Sequence, residues 1–197
     1  MLLLREFHSL SYDNKLVKEA RSNNQPVVVK ALLQRADSLN QNGRRYPRTI
    51  LEREITNYEK AISEGRACGE LDHPESSIVN LANISHVIRE VWWDGDDVLG
   101  SVEILPTPKG KIALDLMSSG IKLGISSRGV GETEKDDEGN DVVDESYMLV
   151  AFDLVSEPST QEAWLMKEGK EISFAVGSRS IPKADRLNRI INEILGK

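Results

Sequence analysis

Three histidines, one cysteine and a Ser-Ser pair set in a glycine-rich stretch are where covalent chemistry could reside in this 197-residue chain. A serine hydroxyl attacks a carbonyl only when a neighbouring base takes its proton, and that base needs a third group to fix its tautomer. Ser126 and Ser127 lie in Leu123-Gly124-Ile125-Ser126-Ser127-Arg128-Gly129-Val130-Gly131, which reads as a strand with glycines where another chain or a ligand approaches closely. Adjacent strand residues point to opposite faces, so at most one of the two serines can meet a given base. With Leu123, Ile125 and Ser127 on a core-leaning face, Ser126 faces a cleft.

Of the histidines, His73 is the best placed to act as a base: Gly69-Glu70-Leu71-Asp72-His73-Pro74 sets it between a carboxylate and a proline, in a loop that proline stiffens. His86, within Asn83-Ile84-Ser85-His86-Val87-Ile88, reads as a half-exposed strand residue, and His8 as a solvated one. Asp153 interrupts the apolar run Val150-Ala151-Phe152-Asp153-Leu154-Val155, and a carboxylate buried there requires a cationic or hydrogen-bonding partner. An outward-facing strand position fits the same alternation. Glu70, Asp72, His73 and His86 follow no recognised metal-ligand spacing, so no metal is expected. Cys68 is a poor alternative nucleophile for His73, being so close to it in sequence across a sharp loop.

These groups need a scaffold, and composition bounds it. Hydrophobic residues make up 39% of the chain, and 25 Lys+Arg stand against 32 Asp+Glu for a formal charge of −7. One soluble domain with tails is the expectation. The acidic balance argues against a large nucleic-acid footprint. Met1-Leu2-Leu3-Leu4 is broken by Arg5-Glu6, and no apolar run reaches the ~18 residues a spanning helix needs, so neither a signal peptide nor a membrane is expected. The single cysteine suits a reducing cytoplasm.

Along the chain, residues 1–25 show little periodicity and read as a peripheral arm closed by Ser22-Asn23-Asn24-Gln25-Pro26. Val27 to Leu33 reads as the first core strand. Leu51, Ile55, Tyr58 and Ile62 line one face of a helix ended by Gly65. Ile84 to Leu105 reads as a hairpin turning at Asp94-Gly95-Asp96, and Lys111 to Ser119 as a short helix. Glu132 to Glu145 holds eight acids around Glu138-Gly139-Asn140 and reads as a solvated hairpin loop, with Tyr147 to Val155 returning as a strand. Leu187, Ile190, Ile191 and Ile194 share a face of a terminal amphipathic helix over 181–197, which leaves 26–180 as the main domain. Hairpin-connected strands without βαβ alternation indicate an α+β fold on an antiparallel sheet or barrel.

Four segments carry a resemblance: Asn42-Gly43-Arg44-Arg45-Tyr46-Pro47, Gly69-Glu70-Leu71-Asp72-His73-Pro74, Val91-Trp92-Trp93-Asp94-Gly95-Asp96-Asp97-Val98-Leu99-Gly100, and Gly124-Ile125-Ser126-Ser127-Arg128-Gly129. In order and separation they resemble the prohead core proteases of T4-type bacteriophages, a serine endopeptidase family related in fold to the herpesvirus maturation proteases. The resemblance implies an antiparallel β-barrel or strongly curved sheet surrounded by helices. It implies His73 as general base and Ser126 as nucleophile. Herpesvirus-type enzymes place a second histidine on a later strand; Asp153 occupies that place here, ahead of Asp72 and Glu157 as third member.

The resemblance further implies a cofactor-free, homo-oligomeric enzyme that acts on scaffold, core and capsid proteins inside the assembling prohead, in the host cytoplasm. It implies cleavage after glutamate in short aliphatic-X-Glu motifs. A substrate carboxylate needs a cation, for which Arg44, Arg45, Arg48 and Arg128 are candidates, and backbone N–H groups around Arg128 and Gly129 are the oxyanion-hole candidates. Leu4-Arg5-Glu6, Ile88-Arg89-Glu90 and Ile191-Asn192-Glu193 match such motifs. Terminal sites are open and strand sites protected, so self-cleavage is expected at Glu6 or Glu193 and not at Glu90, and the terminal helix is a candidate for removal by self-processing. The alternative is a catalytically silent capsid-assembly or scaffold component with the same fold.

Overall fold

The structure is a computed structural model and describes residues 2–40 and 42–156. It is an α+β fold of three sheets among the described residues. In chain order the elements are β1 (Leu2–Ser9), α1 (Asn14–Ser22), β2 (Val27–Arg35), β3 (Arg44–Arg45), α2 (Arg48–Ser63), β4 (Cys68–Glu70), β5 (Ile84–Asp94), β6 (Asp97–Ile104), α3 (Pro108–Ser118), β7 (Gly124–Gly131), β8 (Thr133–Lys135), β9 (Asp141–Val143) and β10 (Met148–Val155). The sheets run β1-β7-β10, β2-β6-β5-β4 and β3-β9-β8.

Alternation builds the larger sheets. Val27, Val29, Ala31 and Leu33 of β2 and Val98, Val102 and Ile104 of β6 are buried, on the period of two that puts every second side chain on one face. β5 and β6 join through a two-residue turn whose Gly95 takes φ 59°, a conformation glycine adopts without strain. Their buried faces meet those of β7 and β10 in one core with Ile55 and Tyr58 of α2, and Tyr58 packs edge-on to Phe152 at 5.1 Å. α2 starts directly after Pro47, where Asp37 Oδ1 accepts the otherwise unpaired Arg48 N–H at 3.1 Å. Thr107 caps α3 by accepting from Gly110 N at 3.0 Å.

Among the described residues the sheets are not closed into a barrel, the first of the two architectures expected from sequence. β4 is three residues long with a register shift between Gly69 and Glu70, and beyond it a single bridge, Leu71 to Leu154, reaches β10. Asp72 N donates to Leu154 O at 2.7 Å at that point. The two sheets are thus joined by backbone pairing at one corner and elsewhere by side-chain packing and side-chain hydrogen bonds.

Residues 2–9 do not form a peripheral arm. They pair with β7 at eight successive positions, from Leu2 opposite Gly131 to Ser9 opposite Gly124. Leu4 is buried in a second cluster with Tyr46, Leu51, Val143 and Tyr147, while Leu10 and Val17 join the main core. The acidic segment after β7 is a hairpin, β8 to β9, that docks on β3 by pairing Asp141 with Arg44 and Val142 with Arg45. The proposed helix over 181–197, the boundary at residue 180, Glu157 and Glu193 lie outside the described residues. Among the described residues no helix is long and apolar enough to cross a membrane.

Candidate active site

β7 is the central strand of its sheet, and its alternation separates the two serines. Ser126 stands opposite Asp153 on β10 and opposite Phe7 on β1. Ser127 points to the other face, where its hydroxyl accepts from Gln34 Nε2 at 3.2 Å. Ser126 therefore shares a face with Asp153 across one strand and with Arg128 two residues along its own. The Phe7 ring fills the space a side chain at Gly124 would need: a Cβ there would lie 1.8 Å from Phe7 Cε2.

Asp153 is completely buried, and four donors converge on it. Arg128 Nε donates to Oδ2 at 2.7 Å and Arg128 Nη2 to Oδ1 at 3.2 Å; Glu70 N donates to Oδ1 at 3.1 Å, and His73 Nδ1 lies 3.3 Å from Oδ2. Burial pushes the Asp153 carboxyl up, but the hydrogen bonds from His73 and Arg128, the Arg128 charge and the Glu70 N–H outweigh it and hold the group below the usual carboxylate value. Arg128 is equally buried, and its remaining donors go to Glu70 Oε1 at 3.1 Å and Ser76 O at 2.6 Å. A guanidinium so committed cannot receive a substrate carboxylate, so Arg128 anchors Asp153 and the 70–76 segment instead.

The close approach of β4 to β10 is possible only because residue 69 is glycine. A Cβ there would lie 2.0 Å from Phe152 O and 2.3 Å from His86 Nε2. His86, read from sequence as half-exposed, is fully buried. Its Nε2–H donates to Phe152 O at 2.8 Å and its Nδ1 pairs with the Ser85 hydroxyl at 2.9 Å, while burial pushes its pKa down to about 4. It is a neutral imidazole that holds the backbone next to Asp153.

His73 is 19% exposed and projects from a loop fixed at three points. Asp72 takes a positive φ of 72° and its Oδ1 accepts from His73 N at 2.9 Å, so Asp72 serves the loop and not the imidazole. Pro74 O accepts from Arg5 Nη2 at 2.6 Å. The contact to Asp153 engages Nδ1, and among the described residues nothing claims Nε2. Ser126 Oγ has only a long contact to Ser127 O, at 3.5 Å. Ser126 and His73 line one open cavity of about 550 Å³ with Leu3, Arg5, Phe7, Asn42, Arg44 and Glu75.

Of the arginines considered from sequence, only Arg44 lines this cavity. Arg45 lies 3.7 Å from Asp136, and Arg48 pairs with Glu52 and Asp96 over the Trp93 ring. Arg128 and Gly129 have strand partners on both sides, Arg5 and Ala151 for the first, Leu4 and Leu149 for the second, so the ladder has first claim on their N–H groups. The register shift between Leu149 and Ala151 is where that ladder opens. Cys68 does not line the cavity, and burial pushes its thiol up against the opposing pull of Arg89, the reverse of activation. No group of three or more potential metal ligands occurs among the described residues.

Glu6, expected as an open cleavage site, is buried in mid-strand on the Ser127 face, with the Glu6 backbone opposite that of Ser127. The reasoning that protects Glu90 protects Glu6 as well. Burial pushes its carboxyl up to about 7 against hydrogen bonds from Asn40 and Gln34 and the charges of Arg44 and Arg35. His8 is not solvated but bonded to Gln34 at 3.3 Å, and burial takes its pKa down to about 4. Sequence reasoning missed Glu70 as a partner of Arg128 and β1 as a wall of the cavity.

The chain is similar to known proteins. Residues 17–176 match the family model described as prohead core protein serine protease. The chain is 30% identical over 176 residues to the prohead core protein protease of Enterobacteria phage T4, covering 87% of this chain and 82% of that one. The solved structure of the bacteriophage T4 capsid assembly protease, gp21, superposes with a TM-score of 0.68 at 25% identity, over 79% of this chain and 98% of that one.

Proposed function

The chain belongs to the prohead core protein serine protease family, and we propose that it is a serine endopeptidase of prohead maturation that works through Ser126, His73 and Asp153. The observation that carries the reading is the position of Asp153. It sits opposite the nucleophile on the adjacent strand, engages Nδ1 of the histidine, and leaves Nε2 for the serine. His73 takes the Ser126 proton as Oγ attacks the scissile carbonyl, and the imidazolium that forms is stabilised by the Asp153 carboxylate. His73 then returns the proton to the leaving amine, and water, activated by the same imidazole, hydrolyses the acyl-enzyme. The oxyanion would be met by an N–H that the Leu149/Ala151 irregularity frees near Arg128 and Gly129.

The substrates in this reading are scaffold, core and capsid proteins within the assembling shell in the host cytoplasm, cut after glutamate in aliphatic-X-Glu motifs by a homo-oligomeric enzyme. Glu193 is then the self-cleavage site to test first, because Glu6 is held in β1. A fluorophosphonate probe tests the mechanism: it should label Ser126 in the wild type and leave Ser126→Ala unlabelled. Absence of labelling, or labelling of Ser127, would refute the assignment and return the silent assembly component as the better account. Intact mass after incubation with scaffold, wild type against Ser126→Ala, tests self-processing; equal masses would count against it.

A further inference from the structure

Ten arginines fall among the described residues, and eight have a carboxylate oxygen within 4 Å. The two that do not, Arg5 and Arg44, both line the cavity that holds Ser126 and His73. In each, Nε is buried and has no hydrogen-bond partner among the described residues. Their recorded bonds go to carbonyls: Arg5 Nη2 to Pro74 O at 2.6 Å, and Arg44 Nη1 to Arg5 O at the long distance of 3.4 Å. A desolvated N–H without an acceptor is costly, and a guanidinium with no carboxylate oxygen within 4 Å, in a chain of net charge −7, sets these two apart from the other described arginines.

We infer that Arg5 and Arg44 together form the receptor for an acidic side chain of the substrate. The inference rests on the serine peptidase reading and names the residues that would choose its substrate. A carboxylate in the cavity would meet the terminal donors that these carbonyls leave free, and it suits the forked geometry of a guanidinium. The placement also fits. Phe7 faces Ser126 across the ladder, and Arg5 is two residues along β1, an offset of about 7 Å. That distance suits the side chain of the residue whose carbonyl Ser126 attacks, rather than the carbonyl itself. Arg44 arrives from β3, which the β8–β9 hairpin supports. Leu3 and Phe7 supply apolar walls on either side of Arg5.

The test is binding to the Ser126→Ala protein, which needs no chemistry. The probes are an octapeptide of residues 189–196 and its Glu193→Gln version, titrated by calorimetry. The glutamate peptide should bind about 10- to 100-fold more tightly, and this preference should vanish when Arg5→Gln or Arg44→Gln is added. Arg44→Gln serves as the second variant because Arg5 also holds the His73 loop; if either glutamine variant fails to fold, the lysine replacement at the same site is used, and its preference should fall by a smaller factor. Equal affinity for the two peptides, or a preference that survives in either variant, overturns the receptor. Fluorophosphonate labelling of wild-type Ser126 judges the mechanism separately, so a labelled serine with no glutamate preference would sink this inference, and with it the preference for glutamate, while the serine mechanism stands.

Discussion

Asp153→Asn changes one oxygen to an amide nitrogen at the point where four donors meet, and the structure says what each orientation loses. If the amide nitrogen replaces Oδ2, it faces His73 Nδ1 and Arg128 Nε, at 3.3 and 2.7 Å from that position. His73 then accepts at Nδ1 and carries its proton on Nε2, the tautomer that cannot receive the Ser126 proton. If it replaces Oδ1, Glu70 N and Arg128 Nη2 lose their acceptor and the imidazolium loses its counter-charge. Either way two charge-assisted bonds go, at about 1.5–3 kcal/mol each, in line with about 3–5 kcal/mol for breaking a buried ion pair. Glu70 still faces Arg128, so the lower end, about 3 kcal/mol, is expected in urea unfolding. In kcat on a fluorogenic peptide a loss near 10⁴-fold is expected, about 5.5 kcal/mol of barrier. Because the folded Asp153 titrates below its ordinary 3.8, its contribution to stability is full above that pH and is lost as pH falls further. The stability gap between wild type and variant should therefore narrow only at strongly acid pH. A variant that keeps kcat within about tenfold of wild type would refute the assignment of Asp153 as the group that orients His73.

Three further outcomes are expected. Glu6 titrates near 7 in the fold against an ordinary 4.5, so its neutral form favours folding below pH 4.5 and that advantage is lost as pH rises through 7. Glu6→Gln should accordingly exceed wild type by about 3 kcal/mol in unfolding free energy at pH 8 and match it at pH 4, and parallel profiles would contradict the buried placement. Gly69→Ala should lower stability by about 2–3 kcal/mol and also reduce kcat, since the new methyl displaces Phe152 and His86 beside Asp153; an unchanged melting temperature would show that β4 does not approach β10 so closely. Cys68→Ala should leave kcat/KM within about twofold of wild type, and an inactive variant would make the thiol the nucleophile.

What could be read from sequence is what one period governs. Leu51, Ile55 and Tyr58 announce α2 because that helix buries a single apolar face, and the split of Ser126 and Ser127 onto opposite faces follows from strand alternation in β7. β1 hides because neither of its faces is uniformly apolar: Arg5 and Phe7 line a solvated cavity, while Leu4 and Glu6 point into the interior. Arg128 misleads for a related reason. A guanidinium bound by Glu70 and Asp153 and one awaiting a ligand look alike in sequence, and only the pairing of β10 with β7 tells them apart. His86 reads as half-exposed because the strand that covers it arrives from distant sequence, at Phe152. The acidic segment from 132 to 145 looks like surface, yet its pairing with β3 places Arg44.

Because Asp153 sits on the last described strand and reaches back some 80 residues to His73, the order of synthesis matters. A nascent chain that has exposed His73 and Ser126 still lacks the strand that aligns the imidazole. On the proposed mechanism the catalytic arrangement is therefore complete only once β10 has been made and has paired with β7, after the other described elements. A product that stops before residue 148 has Ser126 and His73 without Asp153, and on the proposed mechanism it lacks the group that orients the imidazole.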